Sequence, residues 1–439
     1  MVPPTATTHR DVWALVLVAV VVRAGLIALG VLHGSTFRSN DSALYLALAE
    51  ALARDGAFAL DGVAHSFRTP GYPLLLAPGV WLGHATPWII GLQLVMAAAT
   101  VVATRALGLW LTRERAVANV AALLLACEPY SAVYTGLVLT EVSFALMLTL
   151  HLLGLVWFLE APPASRAARG LVLAGLACAA SAWLRPITYT LPLVVLLVLA
   201  VARVRPRHLA LYAASALVPL LAWQLRNGAQ TGDYGFYGGS SHTAYYYVAI
   251  PIRARLEGRS ADVLRDEEGV WRAVGALSVA ERQAHEGQAQ ALVLAHPQVF
   301  AALVGERFWR TLTVNDNARV AQLVGPGLAR ADKSLRMVWW IVLAVAALGL
   351  FCERARWTSA RAVVLLCTAF VLVIPALVTD DPRYRMPVVP VLCLWRRLAS
   401  ASCGVAPGAC SRALHRASRP SRAPTRWTAR RPGAGAHPR

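Results

Sequence analysis

Long apolar runs alternate with short polar connectors along this 439-residue chain. The runs cover residues 12–32, 88–111, 116–134, 142–159, 171–184, 187–202, 209–225, 337–352 and 362–378. Most approach the ~20 residues that cross a bilayer, and the shorter ones reach that length by borrowing flanking residues. The pattern predicts an all-α polytopic membrane protein, a bundle of about 10 transmembrane helices. The apolar stretch from Tyr72 to Gly83 is only about a dozen residues long, which fits an interfacial or re-entrant helix better than a span. Before it, "SNDSALYLALAEALARDG" (39–56) sets Leu44, Leu48 and Leu52 on one helical face. Ser39, Asn40 and Asp41 all suit an N-cap and Gly56 suits the stop, so this reads as an amphipathic helix beside the membrane.

Composition agrees with the membrane reading. Hydrophobic residues make up 57% of the chain, charged residues 15%, and mean hydropathy is +0.53. That is too apolar for one soluble core. The formal charge of +19 does not indicate a nucleic-acid partner, because Lys333 is the only lysine and the arginines lie mainly in connectors and the tail. The charge reads as topology, with contact to membrane lipids. Seven cysteines (127, 178, 352, 367, 393, 403 and 410) form no CxxC pair, against a disulfide framework or a thiolate zinc site. The first run lacks a small-x-small cleavage site, so it reads as a retained helix.

With Arg10 in the cytoplasm and residues 72–83 interfacial, "TRER" (112–115), Arg166 and Arg169, "RVRPR" (203–207) and "ERAR" (353–356) all fall on the cytoplasmic side. Counting 72–83 as a span would put all four outside. The chain then divides into a transmembrane catalytic module, 1–226, carrying a first external loop (33–87); an external segment, 227–335; C-terminal transmembrane helices, 336–398; and a basic tail, 399–439. The tail has no acidic residue and reads as disordered. The predicted location is the cytoplasmic membrane, with the chemistry outside.

Candidate chemistry gathers on that outer side. Asp41 either caps its helix or, kept ionised by the helix dipole, serves as a general base of reduced basicity. Tyr45, four residues on, shares its face and is a candidate substrate contact. Glu141, at the outer end of a span, is costly to bury alone. It orients a substrate, helps hold a divalent ion, or starts a helix in water. Arg383 and Arg385 in "DDPRYR" (380–385) run against the topology bias, so they are phosphate-binding candidates or partners of Asp380 and Asp381. Arg226 is a second phosphate candidate or a helix-end anchor. Arg23, deep in the first run, is functional or paired with a neighbouring helix. His242 reads as a surface histidine, and no carboxylate–histidine set can be assembled from spacing, which leaves a divalent metal open.

In order along the chain, the 39–56 stretch is followed by "FRTPGYPLLL" (67–76), "LVLTEVSF" (137–144), "WLRPITYTLP" (183–192), "WQLRNGAQTGDYGFYGGSSHTAYYYVA" (223–249), "HPQVFAALVGERFWRTL" (296–312) and "DDPRYRMPVVP" (380–390). Over residues 10–395 this set resembles the GT-C membrane glycosyltransferases, specifically the bacterial family 39 relatives of protein O-mannosyltransferase and lipid A aminoarabinose transferase. The resemblance implies a catalytic aspartate on a juxtamembrane helix in the first external loop, matched by Asp41. It also implies a polyprenyl-phosphate-linked sugar as donor and an acceptor hydroxyl on a protein, lipid or glycan. Arg68 and Tyr72 match the family's Arg-x-Pro-Gly-Tyr-Pro signature, in which Pro70, Gly71 and Pro73 shape the turn. Ser42 stands where some relatives carry a second acidic residue, a departure from any role that needs adjacent carboxylates.

The chemistry fits this placement. A sugar leaving with a phosphate ester needs little protonation of its leaving group, so one base and one cation suffice. A transporter or flippase of lipid-linked sugars is the rival reading. It predicts repeated halves and charges along a pathway, whereas the sequence shows no internal repeat and chiefly Arg23 deep in a helix. A ligase moving whole glycan chains would lean on external Arg and His in place of Asp41.

Overall fold

The computed structural model describes residues 9–161, 166–269, 279–325 and 358–394, together with 337, 339–341, 343, 344 and 347. The basic tail, "ERAR" and most of the 337–352 run lie outside the described residues. The chain opens with α1 (His9–Leu32) and α2 (Asn40–Asp55). A hairpin of two-residue strands follows, β1 (Ala59–Leu60) with β2 (Val63–Ala64), the exception to the all-helical expectation. Next come α3 (Gly71–Trp81), α4 (Ala85–Thr112), α5 (Arg115–Ala126), α6 (Pro129–Thr135), α7 (Glu141–Glu160), α8 (Arg166–Leu184), α9 (Leu191–Val201) and α10 (Pro206–Thr231). Six shorter or amphipathic helices follow: α11 (Ser240–Ala244), α12 (Ile250–Glu257), α13 (Ala261–Glu267), α14 (Val279–Ala295), α15 (Pro297–Thr313) and α16 (Asn317–Val324). α17 (Ser359–Ala376) leads into a 3-10 turn, Pro382–Val388.

Among the described residues, five helices are long and apolar enough to cross a membrane: α1, α4, α7, α10 and α17. The pair α5–α6, bent by 55°, makes a sixth if it is one broken span. Among the described residues the expected count of about 10 is met by five or six. Runs 171–184 and 187–202 form shorter apolar helices on either side of Arg185 and Pro186, and run 337–352 lies largely outside the described residues. α3 does not cross. At 11 residues it is roughly 16 Å long, against a hydrocarbon core of about 30 Å. Gly71 at its start lies against the Trp183 carbonyl so closely that a Cβ would stand 2.7 Å from that oxygen. The two ends of the bundle carry different chemistry. At one, Arg115 meets Asp11 (2.6 Å), Arg113 meets Glu160 (3.3 Å) and Arg361 donates to the Leu111 carbonyl (3.0 Å). At the other, the connectors after α1, α6, α8, α10 and α17 converge.

The apolar run 116–134 is one stretch in sequence and two helices in space. Pro129 has no N–H to give the Leu125 carbonyl, and the Tyr130 and Ser131 amides turn to the Glu128 carboxylate (3.2 and 2.6 Å), which caps α6. At the end of α5 the Leu125 carbonyl accepts from the Glu128 amide (3.3 Å), and Arg23 adds donors to it and to its neighbour. Its guanidinium donates to Ala126 (2.7 Å), Leu125 (3.2 Å) and the Ser131 hydroxyl (3.1 Å). Arg23 is 1% exposed, and of the two roles its sequence position allowed, pairing with a neighbouring helix is the one observed. A break at membrane depth persists only where protein supplies the missing partners. Elsewhere small residues bring helices together: at Gly154 of α7 a Cβ would meet the Gly170 carbonyl of α8 at 2.5 Å.

Arg23→Leu strands the buried Ala126 carbonyl, at about 1–3 kcal/mol, and leaves the Leu125 carbonyl with the Glu128 amide (3.3 Å). We expect the detergent-solubilised variant to lose about 1–3 kcal/mol of stability, read as a lower melting temperature; an unchanged melting curve would show that the break holds without Arg23.

Candidate active site

Ser39 is the N-cap of α2 and Gly56, with φ 65°, ends it. The Ser39 amide donates to the Ser42 hydroxyl (2.8 Å), which donates to the Val138 carbonyl (2.7 Å). The Val138 amide donates to the Phe37 carbonyl (2.8 Å), so α2 is tied to the segment before α7. Ser42 is buried in this tie. Asp41 is free of capping duty and carries two guanidiniums. Arg68 Nη2 lies 2.6 Å from its Oδ1 and Arg383 Nη1 lies 2.8 Å from its Oδ2. Arg383 also comes within 2.8 Å of Asp381 and 3.9 Å of Glu141. Glu141, 1% exposed, is held by Arg185 at 3.2 Å, and its Oε2 has no hydrogen-bond partner.

These charges border a cavity of about 550 Å³, within the range in which small ligands sit. Asp41, Tyr45, Arg68 and Arg383 line it, and Glu141 stands behind Thr140 and Arg185 of the lining. Four arginines (68, 185, 319 and 383) face two aspartates (41 and 381) around its wall. Tyr45 lies under the Arg68 guanidinium, 5.2 Å from ring centre to Cζ, and packs edge-on against Tyr72 at 5.1 Å. The segment after α10 adds Tyr237, His242, Thr243 and Tyr247.

Three of the sequence candidates are placed away from this wall. Tyr72 is fully buried and donates to Gln93 Oε1 (2.9 Å), whose amide in turn reaches the Thr135 and Leu137 carbonyls (3.0 and 2.8 Å). Arg226 holds the hairpin base through the carbonyls of His65 (2.8 Å) and Phe58 (2.7 Å). Arg385 caps the end of α15, donating to the carbonyls of Thr311, Leu312 and Val314 (3.3, 3.1 and 2.7 Å), with Trp339 stacked on it at 4.4 Å. The two arginines spend donors on backbone carbonyls and Tyr72 spends its hydroxyl on Gln93, away from the cavity lining. His242 departs from the surface reading as well, being 8% exposed, on the lining and stacked on Tyr246 at 5.2 Å. Asp380 pairs with Arg310 (2.8 Å), while Asp381 takes Arg383.

Arg185 and Arg319 were missed in the sequence. Arg185 carried the same signal as Arg383, an arginine on the outer side against the topology bias. Arg319, on α16, donates its amide to the Asp316 carboxylate (3.3 Å) and its guanidinium to Gln322 (3.0 Å), and that guanidinium has no carboxylate among its described partners. Nothing in its local sequence sets it apart.

Burial alone would raise the Asp41 pKa, but the charges and hydrogen bonds of Arg383 and Arg68 outweigh it and hold the carboxyl well below the usual range. Burial, with repulsion from His285 and Arg68, brings His242 down to about 4; burial with Arg68 and Arg226 does the same for His65. Both are neutral at physiological pH. Among the described residues no group of three or more His, Cys, Asp or Glu is placed to hold a metal. Asp41 and Glu141 each already carry guanidiniums, so this donor set does not fit a divalent ion.

No protein-family model matches the chain and no curated protein matches it. Solved structures are similar to it. The apo oligosaccharyltransferase from Archaeoglobus fulgidus superposes with a TM-score of 0.55 at 13% identity, covering 94% of this chain and 53% of that one. The archaeal oligosaccharyltransferase AglB from the same organism, in complex with an inhibitory peptide and a dolichol-phosphate, matches with a TM-score of 0.52 at 13% identity, covering 94% and 52%. ArnT from Cupriavidus metallidurans, bound to undecaprenyl phosphate, superposes more loosely, with a TM-score of 0.45 at 14% identity, covering 90% and 78%. The likeness to the oligosaccharyltransferase shows the fold, a multi-pass helical bundle shared with that protein. This chain spans about half the length of that protein.

The Asp41 ion pairs contribute stability above the unfolded carboxyl pKa of about 3.9, lost as pH falls through the lower folded value. Asp41→Asn is therefore expected to be about 1–3 kcal/mol less stable than the parent at pH 7. The gap should hold down to about pH 4 and close only below it. Paired melting curves from pH 7 to pH 3 check this, and a gap that closes near pH 6 would contradict the assigned pairing.

Proposed function

We propose that this chain transfers a sugar from a polyprenyl-phosphate carrier to an acceptor hydroxyl, in a cavity facing outward from a cytoplasmic membrane of the bacterial kind. The observation that carries the reading is the carboxylate of Asp41 set between two cavity-lining guanidiniums at the mouth of the bundle. The GT-C-like fold supports it, since the structure of a protein of that fold holds a dolichol-phosphate. A family 39-like member is the finer assignment, resting on the ordered motifs and on Asp41.

In this reading the acceptor O–H gives its proton to an Asp41 oxygen as the acceptor oxygen bonds to the anomeric carbon. The bond from that carbon to the phosphate oxygen breaks, and its electron pair leaves with the polyprenyl phosphate. Arg68, Arg185, Arg319 and Arg383 surround the developing charge. Glu141 orients Arg185 and Arg383 from behind and touches neither reactant. Tyr45 supports Arg68 from below. The lining from Tyr237 to Tyr247 is the side open to the acceptor.

Incubation of purified protein with a panel of polyprenyl-phosphate sugars should consume one donor and release the polyprenyl phosphate. Loss of the base in Asp41→Asn should slow this by about 10²–10⁴-fold, with the variant still inserted and abundant. Unchanged turnover in the variant rules out Asp41 as the base, and donor binding without turnover in the parent favours the carrier reading.

A further inference from the structure

The arrangement of Asp41 poses a difficulty for the base assigned to it. Both carboxylate oxygens are occupied, each by a different arginine, at 2.6 and 2.8 Å. A carboxylate engaged in this way takes up a proton poorly, consistent with the downward displacement of its pKa. The same two guanidiniums belong to the cavity wall. Arg68 has a donor to spare, since its buried Nε–H makes no hydrogen bond. The lining as a whole is short of negative charge, with four arginines against two aspartates, and the Arg319 guanidinium has no carboxylate among its described partners.

We propose that the Asp41 carboxylate occupies, in the free protein, the place of the donor's phosphate between Arg68 and Arg383, and that the arriving phosphate takes over both guanidiniums and frees Asp41 to act as base. This rests on the reading of the cavity as a polyprenyl-phosphate-sugar site. A carboxylate and a phosphate present the same paired oxygens to a guanidinium fork, so the anion that enters meets a clamp already spaced for it. Arg319, whose guanidinium meets no carboxylate among the described residues, gives the phosphate its first contact. The exchange breaks two ion pairs and makes two, so the arginines stay paired throughout. Its consequence is an order of events: the base becomes competent only after the donor is seated, and the acceptor hydroxyl is left intact while the carrier is absent.

Competition between Asp41 and phosphate predicts a sign that a supporting residue would not give. Removing the carboxylate should tighten binding of a phosphate-headed lipid. The probe is geranylgeranyl phosphate added to the detergent-solubilised protein, with geranylgeraniol as the control lacking phosphate, followed by calorimetry. Asp41→Asn and Asp41→Ser are compared with the parent, each having first shown a cooperative melting transition. The expected result is about tenfold tighter binding of the phosphate lipid by both variants, within the usual span of coupling between two sites, and no change for the alcohol. Binding by the parent with equal or weaker binding by the variants overturns the exchange and leaves the proposed reaction standing. Absence of phosphate-dependent binding in parent and variants alike overturns both.

Discussion

The ion pairs at Asp41 close the molecule. Residues 41 and 383 are 342 positions apart, and they meet only if the connector after α1 and the segment after α17 emerge at the same end of the bundle. Arg68, from the segment between β2 and α3, completes the junction. A charged group at the edge of a low-dielectric bundle is tolerated when its partner is fixed beside it, so every element that delivers one of these side chains has its position constrained by the others. Glu141 and Arg185 extend the constraint to the start of α7 and the end of α8. The cavity is what this network surrounds.

Away from the cavity the same economy governs the buried arginines. Arg23 serves the broken α5–α6 junction, Arg226 the hairpin base and Arg385 the end of α15, each by donating to backbone carbonyls at the end of an element. Guanidinium is suited to this because one side chain brings five donors in a planar fork, where an ammonium brings three from a point. That explains part of a composition in which lysine occurs once. Excess positive charge, which in a soluble protein points to nucleic acid, is here divided between connectors, helix ends and one anion-attracting pocket.

Within the pocket the division of labour follows from burial. Glu141 is enclosed and holds Arg185; Asp41 is partly open and lines the cavity, which suits the roles proposed for them. Histidines 65 and 242 are neutral beside it, so the local charge is set by carboxylates and guanidiniums alone over the physiological range. The carboxylates that line or back the cavity are committed to arginine, and the proposed exchange would have an incoming anion compete with Asp41 for that pairing.

The sequence by itself determined that the chain is a membrane bundle, that 72–83 forms a short non-spanning helix, and that the first and last polar connectors share one end. Apolar run length and arginine placement are local properties of the chain, and the bilayer reads them directly. It also singled out Asp41, Tyr45, Arg68 and Arg383, which lie on the cavity, and Glu141 just behind it. Tertiary structure alone decided that Tyr72, Arg226 and Arg385 point into the protein fabric, that His242 is buried, and that Arg185 and Arg319 join the wall. It also decided that the 116–134 run breaks at Pro129, with Arg23 from another helix filling the gap. The reason is the reach of a guanidinium: where it finds its carbonyls or carboxylates depends on which distant segment packs beside it, and no spacing along the chain records that.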